Sequence, residues 1–291
     1  MSAPNTKGNH LKRFENRNII VTGASRGIGA SLAERLCAEG ANVAIVARTV
    51  DKHDHLAGSL NETVEKCARF GTNVHAIAAD LADADSRAAI VPRALELFDG
   101  RIDVLVNNAA AAIYQSLLSY PLKRRRIMFE VNVHAPLDLA QAVIPGMAAR
   151  GEGWILNVSS ASAKHAEGPP FRIAGRALEI GLYGSTKAAL NRETNALAVE
   201  VYASGIRVNT VEPRAAVMSE GAEALVGGLV TDEQIESMEA MVEAAVALCD
   251  CPLTLTGRIC SSLDLLDELG LTVMTLDGTA PYPGGRRVWR S

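Results

Sequence analysis

Aromatic residues are scarce: five Phe, two Trp and five Tyr make up 4% of 291 residues. A core of this size must therefore close on Ala, Val, Leu and Ile, within an apolar content of 48%. Cysteine is sparse and odd in number, at Cys37, Cys67, Cys249, Cys251 and Cys260. That count excludes a disulfide framework and fits the reduced thiols of a cytoplasmic protein. Cys249 and Cys251 lack partners at zinc spacing, and His53 and His55 have only Asp51 and Asp54 nearby, so no metal is expected. No run of roughly 18 apolar residues exists, which argues against a membrane-spanning helix. Charge of one sign is also missing: 29 Lys+Arg against 33 Asp+Glu leave −4. A field that weak does not recruit nucleic acid or a membrane over the whole surface, and neither partner is expected. Residues 1–16 are polar, lack the apolar stretch of a secretory signal and read as a disordered arm. Residues 17–291 show no linker and read as one domain.

What the chain does have is rhythm. Short β-branched runs at 18–22, 42–47, 73–79, 104–107, 153–158, 207–211 and 255–261 alternate with helical patterns, among them 27–39, 61–69 and 83–97. The runs are near-continuously apolar, as strands covered on both faces must be. The pattern predicts an α/β, Rossmann-type doubly wound parallel sheet of about seven strands with helices on both faces. Two segments break the rhythm, 161–182 and 212–230, and are expected to be substrate loops; a capping box at 231–234 predicts a helix after the second.

The first strand runs into Thr22-Gly23-Ala24-Ser25-Arg26-Gly27-Ile28-Gly29, and a helix follows. Glycines at 23, 27 and 29 permit close backbone approach, and a helix N-terminus offers N–H groups to a pyrophosphate. A lone glycine run is equally a plain tight turn. Its place in a βαβ unit favours dinucleotide binding. The second strand ends in Ala47-Arg48-Thr49, where a guanidinium suits a 2′-phosphate and Arg26 is placed to assist. NADP(H) is therefore expected over NAD(H), with a merely solvated Arg48 as the alternative. Asp80 is placed to accept from an adenine amino group, and Asn107-Asn108-Ala109-Ala110 to lie along the cofactor.

Tyr183 and Lys187 stand four residues apart on one helix face. A phenol of pKa about 10 titrates too high for work at neutral pH. An ammonium at about 4 Å favours phenolate by roughly 4 kcal/mol at an effective dielectric near 20, so the spacing predicts a lowered phenol pKa.

Taken in order, TGASRGIG (22–29), Asp80, NNAA (107–110), Asn132 within VNV, NVSS (157–160) and YGSTK (183–187) resemble the short-chain dehydrogenase/reductase family over residues 17–213. The resemblance implies an oxidoreductase that interconverts an alcohol and a ketone or aldehyde by hydride transfer. Tyr183 would be the general acid/base and Lys187 would lower its pKa and hold the nicotinamide ribose. Ser160 would bind the substrate oxygen, with Ser159 and Ser162 as neighbouring candidates, and Asn132 would anchor a relay water. Cofactor contacts are implied at Gly23, Ser25, Arg26, Ile28, Gly29, Arg48, Thr49, Asp80, Leu81, Asn108, Ala109, Ala110, Tyr183, Lys187, Pro213 and Ala216. A homodimer or homotetramer is implied as well. The alternatives are a non-catalytic dinucleotide sensor or scaffold, disfavoured by the intact catalytic set, and a lyase or epimerase on the same scaffold.

Four departures stand out. NNAG ends in Ala110, the interval from Ser160 to Tyr183 is long, Pro213 is followed by Arg214 in place of glycine, and the family's usual Asp-Gly-Gly ending is missing. The long interval and the Pro-Arg pair resemble the hydroxysteroid-dehydrogenase-like and citronellol-dehydrogenase-like subgroup, here without room for a sterol-carrier module. That implies a lipophilic substrate, with Phe171, Ile173, Leu178, Ile180 and Leu182 as candidate cover for an apolar cleft. Arg214 is read as pointing to solvent, and the Lys123–Arg126 run as a solvated or subunit-facing helix side.

Overall fold

The computed structural model describes residues 12–51, 57–171, 178–222 and 235–285. Strand β1 (Asn18–Thr22), helix α1 (Gly27–Ala38) and strand β2 (Asn42–Ala47) form the first βαβ unit, and α2 (Leu60–Ala68) leads to β3 (Val74–Ala78). Helices α3 (Ala84–Ala88) and α4 (Ile90–Leu97) replace the single helix expected over 83–97. Pro92 has no N–H to continue the ladder of α3, which explains the break. Strand β4 (Val104–Asn107), α5 (Leu122–Phe129), a π-helical turn (Glu130–His134) and α6 (Ala135–Arg150) follow. Next come β5 (Gly153–Val158), α7 (Gly181–Val201) and β6 (Ile206–Glu212). Short strands β7 (Ala216–Val217) and β8 (Ile235–Glu236), α8 (Met238–Leu248), β9 (Ile259–Ser261) and α9 (Ser262–Glu268) complete the order.

The main sheet has seven parallel strands in the order β3-β2-β1-β4-β5-β6-β9, as the strand rhythm predicts. Alternation within the apolar runs supplies two cores. Ile19, Val21, Val43 and Ile45 face α1, α8 and α9, whereas Ile20, Ala44, Val46 and Leu105 face α4, α6 and α7. The strand order reverses between β1 and β4, and in such sheets ligands bind in the crevice beyond the carboxyl ends at that reversal. The edge strand β9 is shorter than expected because a turn through Gly257 (φ +74°) occupies its start. Among the described residues no helix is long and apolar enough to cross a membrane. His53, His55, Ile173 and the helix start at 231–234 lie outside the described residues.

The expected polar arm needs correction at its end. Lys12–Asn16 form a turn whose Phe14 is 0% exposed and donates its N–H to the Glu39 carbonyl. Arg13 and Arg17 place their guanidiniums 5.3 and 5.7 Å from its ring, and Arg13 pairs with Glu39 at 2.7 Å. Glu39 also holds the buried Arg35, which reaches Glu243 at 3.0 Å, so the segment is tied into a network joining α1 and α8. Single-sequence polarity hid one aromatic anchor among five charged or polar neighbours. Phe14→Ala is expected to lower the unfolding free energy by about 3–5 kcal/mol, read as a fall in the urea midpoint. A solvated arm would leave that midpoint in place.

Candidate active site

Helix α7 sets its first turns against the carboxyl end of β5. Tyr183 lies in the first turn, and Lys187, one turn on, is 1% exposed and donates its ammonium to the Val158 carbonyl at 2.7 Å. Gly184 is required here, since a Cβ would strike the Ser162 carbonyl. The three candidate serines separate cleanly. Ser159 is buried with a hydroxyl that has no partner among the described residues. The Ser160 hydroxyl faces the Tyr183 phenol, whose charged form it favours, and accepts from the Ser162 N–H at 3.2 Å. Ser162 Oγ stands behind it at 2.9 Å.

Asn132 sits on the π-helical turn, fully buried. Its Oδ1 accepts from Ala111 N–H at 2.8 Å, and its Nδ2 donates to the Ala111 carbonyl at 2.9 Å and to Thr186 Oγ1 at 3.0 Å. Thr186 Oγ1 in turn donates to the Tyr183 carbonyl at 2.8 Å. The amide thus fastens the exit of β4 to the turn that carries the tyrosine. Tyr114, which the sequence did not single out, lays its ring 5.8 Å from that of Tyr183.

The lowered phenol pKa predicted from spacing is not found. Burial pushes the Tyr183 phenol above its ordinary range and Tyr114 adds to it, while only the Ser160 hydrogen bond opposes. The Lys187 nitrogen lies 5.8 Å from the ring centre, and burial brings its own pKa down to about 8. Desolvation penalises the charged form of each group, and at this separation it outweighs their attraction.

The residues expected on the cofactor side surround the strand reversal. Gly23 (φ +68°) and Gly27 (φ +56°) adopt left-handed backbone, and a Cβ on Gly29 would collide with Asn108 Nδ2 and the Gly23 carbonyl. The Thr22 hydroxyl accepts from Asn108 N–H at 3.0 Å and Ala109 N–H at 3.1 Å. Ser25 and Leu81 are buried, Ile28 packs on the core, Ala110 is exposed, and Asp80 Oδ1 accepts from Ala82 N–H at 3.0 Å. Arg48 is exposed and Thr49 half-buried at the end of β2. Arg26 does not reach free toward a phosphate: its guanidinium donates to the Ala57 carbonyl at 2.8 Å and the Gly58 carbonyl at 3.0 Å. Two backbone acceptors in the loop after β2 claim it.

The segment after β6 holds two acids that sequence pattern did not reveal. Glu220 Oε2 accepts from Gly27 N–H at 3.1 Å, so a carboxylate already takes an amide at the start of α1. Buried Glu236 accepts from Arg214 N–H at 2.8 Å, Ala215 N–H at 3.1 Å and the Ser262 hydroxyl at 2.7 Å. Those bonds fix Pro213 beside Ala216, while the Arg214 side chain leaves for Asp264 at 2.7 Å on the surface. Both acids belong to non-periodic stretches and act across long sequence separations, which leaves no local signal.

The buried lysine makes stability depend on pH in a definite direction. Its folded pKa of about 8 lies below the unfolded value of 10.5, so between these the unfolded chain binds more protons and stability rises with pH. Below pH 8 both states carry the proton and the full cost, about 3 kcal/mol, is present. Lys187→Met is expected to remove this rise, so urea unfolding at pH 7 and pH 9.5 should show the stability of the variant relative to the native chain falling as pH increases. An equal offset at both values would contradict the shift.

A model of the short chain dehydrogenase family matches residues 17–225. Hydroxysteroid dehydrogenase-like protein 2 of Mus musculus is 29% identical over 269 residues, covering 90% of this chain and 51% of that protein. Its Xenopus tropicalis counterpart is 30% identical over 272 residues, covering 91% and 61%. The chain therefore spans about half to three-fifths of the length of these curated relatives. A solved short chain dehydrogenase of Mycobacterium thermoresistibile is 30% identical with a TM-score of 0.76, covering 94% of this chain and 93% of that one. Another, from Burkholderia cenocepacia J2315 in complex with NADP, is 30% identical with a TM-score of 0.68, covering 87% and 97%. With the strand order, the glycine turn and the tyrosine–lysine helix, these matches establish that the chain belongs to the short-chain dehydrogenase family.

Proposed function

We propose that this chain is a nicotinamide-dinucleotide-dependent oxidoreductase that interconverts an alcohol with a ketone or aldehyde. The observation that carries this reading is the Tyr183 phenol facing Ser160, with Lys187 buried one turn away, at the strand ends beside the glycine turn. Residues 17–291 act as one catalytic unit in this proposal, in a cytoplasmic homo-oligomer.

The residues present fit the dinucleotide. Gly23 and Gly29 let Asn108 and Ala109 close against the start of α1 at the strand reversal, and the Glu220 carboxylate marks the amide of Gly27 as a seat for an anion. Gly23, Ser25, Arg26, Ile28 and Gly29 would hold the pyrophosphate side by their backbone. Asp80 and Leu81 would hold the adenine side, and Asn108, Ala109, Ala110, Pro213 and Ala216 the remainder. Arg48, exposed at the end of β2, is the group that would favour a 2′-phosphate and hence NADP(H). Arg26 supports it indirectly by pinning the loop beside it.

The cofactor, when bound, supplies or accepts the hydride. Tyr183 moves the proton at the substrate oxygen, and its raised pKa in the free chain keeps the phenol protonated at neutral pH, the state a general acid needs. Ser160 donates to the same oxygen. Lys187, held at about pKa 8, keeps most of its charge at pH 7. Asn132 acts as a positioning residue, since its amide is committed to Ala111 and Thr186. Leu182, with Phe171 and Leu178 exposed at the described ends of the insertion, argues for a lipophilic substrate.

Tyr183→Phe is expected to cut turnover of a panel of lipophilic ketones and aldehydes by about 10²–10⁴-fold while leaving dinucleotide affinity within a factor of two or so. Retained turnover would remove the tyrosine from the reaction. For the cofactor, Arg48→Asp should weaken NADPH binding about tenfold or more and spare NADH, by fluorescence titration. Glu220→Gln, which withdraws a charge from the anion seat, should tighten both by a few-fold. Equal NADPH and NADH affinities in the native chain would defeat the preference.

A further inference from the structure

Asp80 and Leu81, the residues expected beneath the adenine, leave the sheet at its margin. Strand β3 is outermost in the order β3-β2-β1, so the chain leaving its carboxyl end has a neighbouring strand on one side only. Residues 80–83 form a tight ledge there. Asp80 Oδ1 accepts from the Ala82 N–H at 3.0 Å, and the Asp83 N–H donates to the Asp80 carbonyl at 3.1 Å. From α3 the Ser86 hydroxyl accepts from the Asp80 N–H at 2.9 Å, and the Ser86 N–H donates to the Asp83 carboxylate at 3.0 Å. These bonds are all local. By themselves they fix the shape of the ledge and leave its place against the rest of the fold open.

Arg87, at the end of the same helix, supplies that place. It is 6% exposed, a cation of a type almost never buried unless paired. Its Nη1 donates to the Leu81 carbonyl at 2.7 Å and to Glu130 Oε2 at 3.3 Å, while Nε and Nη2 each reach Asp138 Oδ2 at 2.7 Å. Asp138 lies on α6, and Glu130 opens the π-helical turn that carries Asn132 two residues on. Among the described residues no other side chain hydrogen-bonds the ledge to a part of the fold beyond α3. A rigid planar fork that serves a backbone carbonyl and two carboxylates at once fixes direction as well as distance.

We propose that Arg87 is the positioning residue of the adenine side, setting the ledge against the π-helical turn and α6. The inference deepens the dinucleotide reading above and rests on it. Asp80 Oδ1 is committed to Ala82, which leaves the other carboxylate oxygen to accept from an adenine amino group. Such a bond weakens steeply with misalignment, so a ledge that shifts or tilts loses affinity even with Asp80 in place. Arg87 acts through Leu81 and Asp80 and touches no dinucleotide atom itself. Adenine is common to NADPH and NADH, so Arg87 serves both alike, whereas Arg48 divides them.

Binding alone, without turnover, tests this: the full chain is titrated with NADPH and NADH by fluorescence, and with AMP and nicotinamide mononucleotide by calorimetry. Arg87→Gln should weaken NADPH, NADH and AMP by a common factor of about ten or more and leave nicotinamide mononucleotide within about twofold. Arg87→Lys should recover most of that loss, because an ammonium still bridges the Leu81 carbonyl and Asp138. Asp138→Asn, at a position half open to solvent, keeps Arg87 in place and should weaken AMP about threefold. It carries the test should Arg87→Gln fail to fold. Unchanged AMP affinity in the folded variant overturns the proposal, as does a lysine variant no tighter than the glutamine one. Equal losses for AMP and nicotinamide mononucleotide would mark a general loosening of the fold and overturn it too. A native chain that binds neither NADPH nor NADH is a different result, which removes the proposed function and this inference with it.

Discussion

The hydroxyl of Thr22 closes the seam on which the rest of the carboxyl edge is built. It accepts from the N–H groups of Asn108 and Ala109 and donates to the Val106 carbonyl at 3.3 Å, which uses its whole hydrogen-bonding capacity. Asn108 returns its amide to the carbonyls of Thr22 and Gly23. Because that amide lies against α1, residue 29 can only be glycine. From the same seam the chain passes to Ala111, which Asn132 grips on both sides, and Asn132 reaches Thr186 on the helix that carries Tyr183. Glycine turn and tyrosine are therefore one hydrogen-bonded body, and their mutual placement does not depend on loops.

That rigidity makes room for groups that burial disfavours. Lys187 and Tyr183 are both displaced from their ordinary pKa values in the direction that suppresses charge. The lysine keeps one carbonyl partner at Val158 and the phenol keeps Ser160, so neither is abandoned in the low-dielectric interior. Burial raises the phenol's pKa and lowers the ammonium's, so at pH 7 both hold their protons while their titrations are pushed apart on one helix face. Such a difference between neighbouring titratable groups is what acid/base chemistry at neutral pH requires.

Legibility in the sequence followed the physical origin of each feature. Strands β1, β2, β4 and β5 end where their apolar runs end, because both faces of a parallel sheet are covered and composition alone marks them. The join at Ala89 and the short β9 were not legible, since a proline inside a helical pattern and a turn within an apolar run leave periodicity almost untouched. At the site, the placing of Tyr183 and Lys187 one turn apart on one helix was readable from spacing, and Ser160 beside them from family likeness. The sign of the phenol shift was not, because spacing gives the Coulomb term and only the fold gives desolvation. Arg26 was legible as a cation beside the turn, but its partners, the carbonyls of Ala57 and Gly58, come from the far side of the next strand.

The stretch after β6 shows how a departure from the family pattern is absorbed. A side chain replaces the usual glycine at Arg214, yet the backbone there is gripped by Glu236 and the guanidinium is carried outward to Asp264. Glu236 itself is secured by Ser262 at the start of α9, and burial raises its pKa against those hydrogen bonds. A few residues on, Glu220 touches Gly27 and Ser219 packs over it. One strap thus runs from the edge of the sheet, where Ser262 secures Glu236, to the mouth of the glycine turn, where the Glu220 carboxylate takes the Gly27 amide. The placement of this strap and the accessibility of the first amide of α1 are therefore linked, because one carboxylate belongs to both.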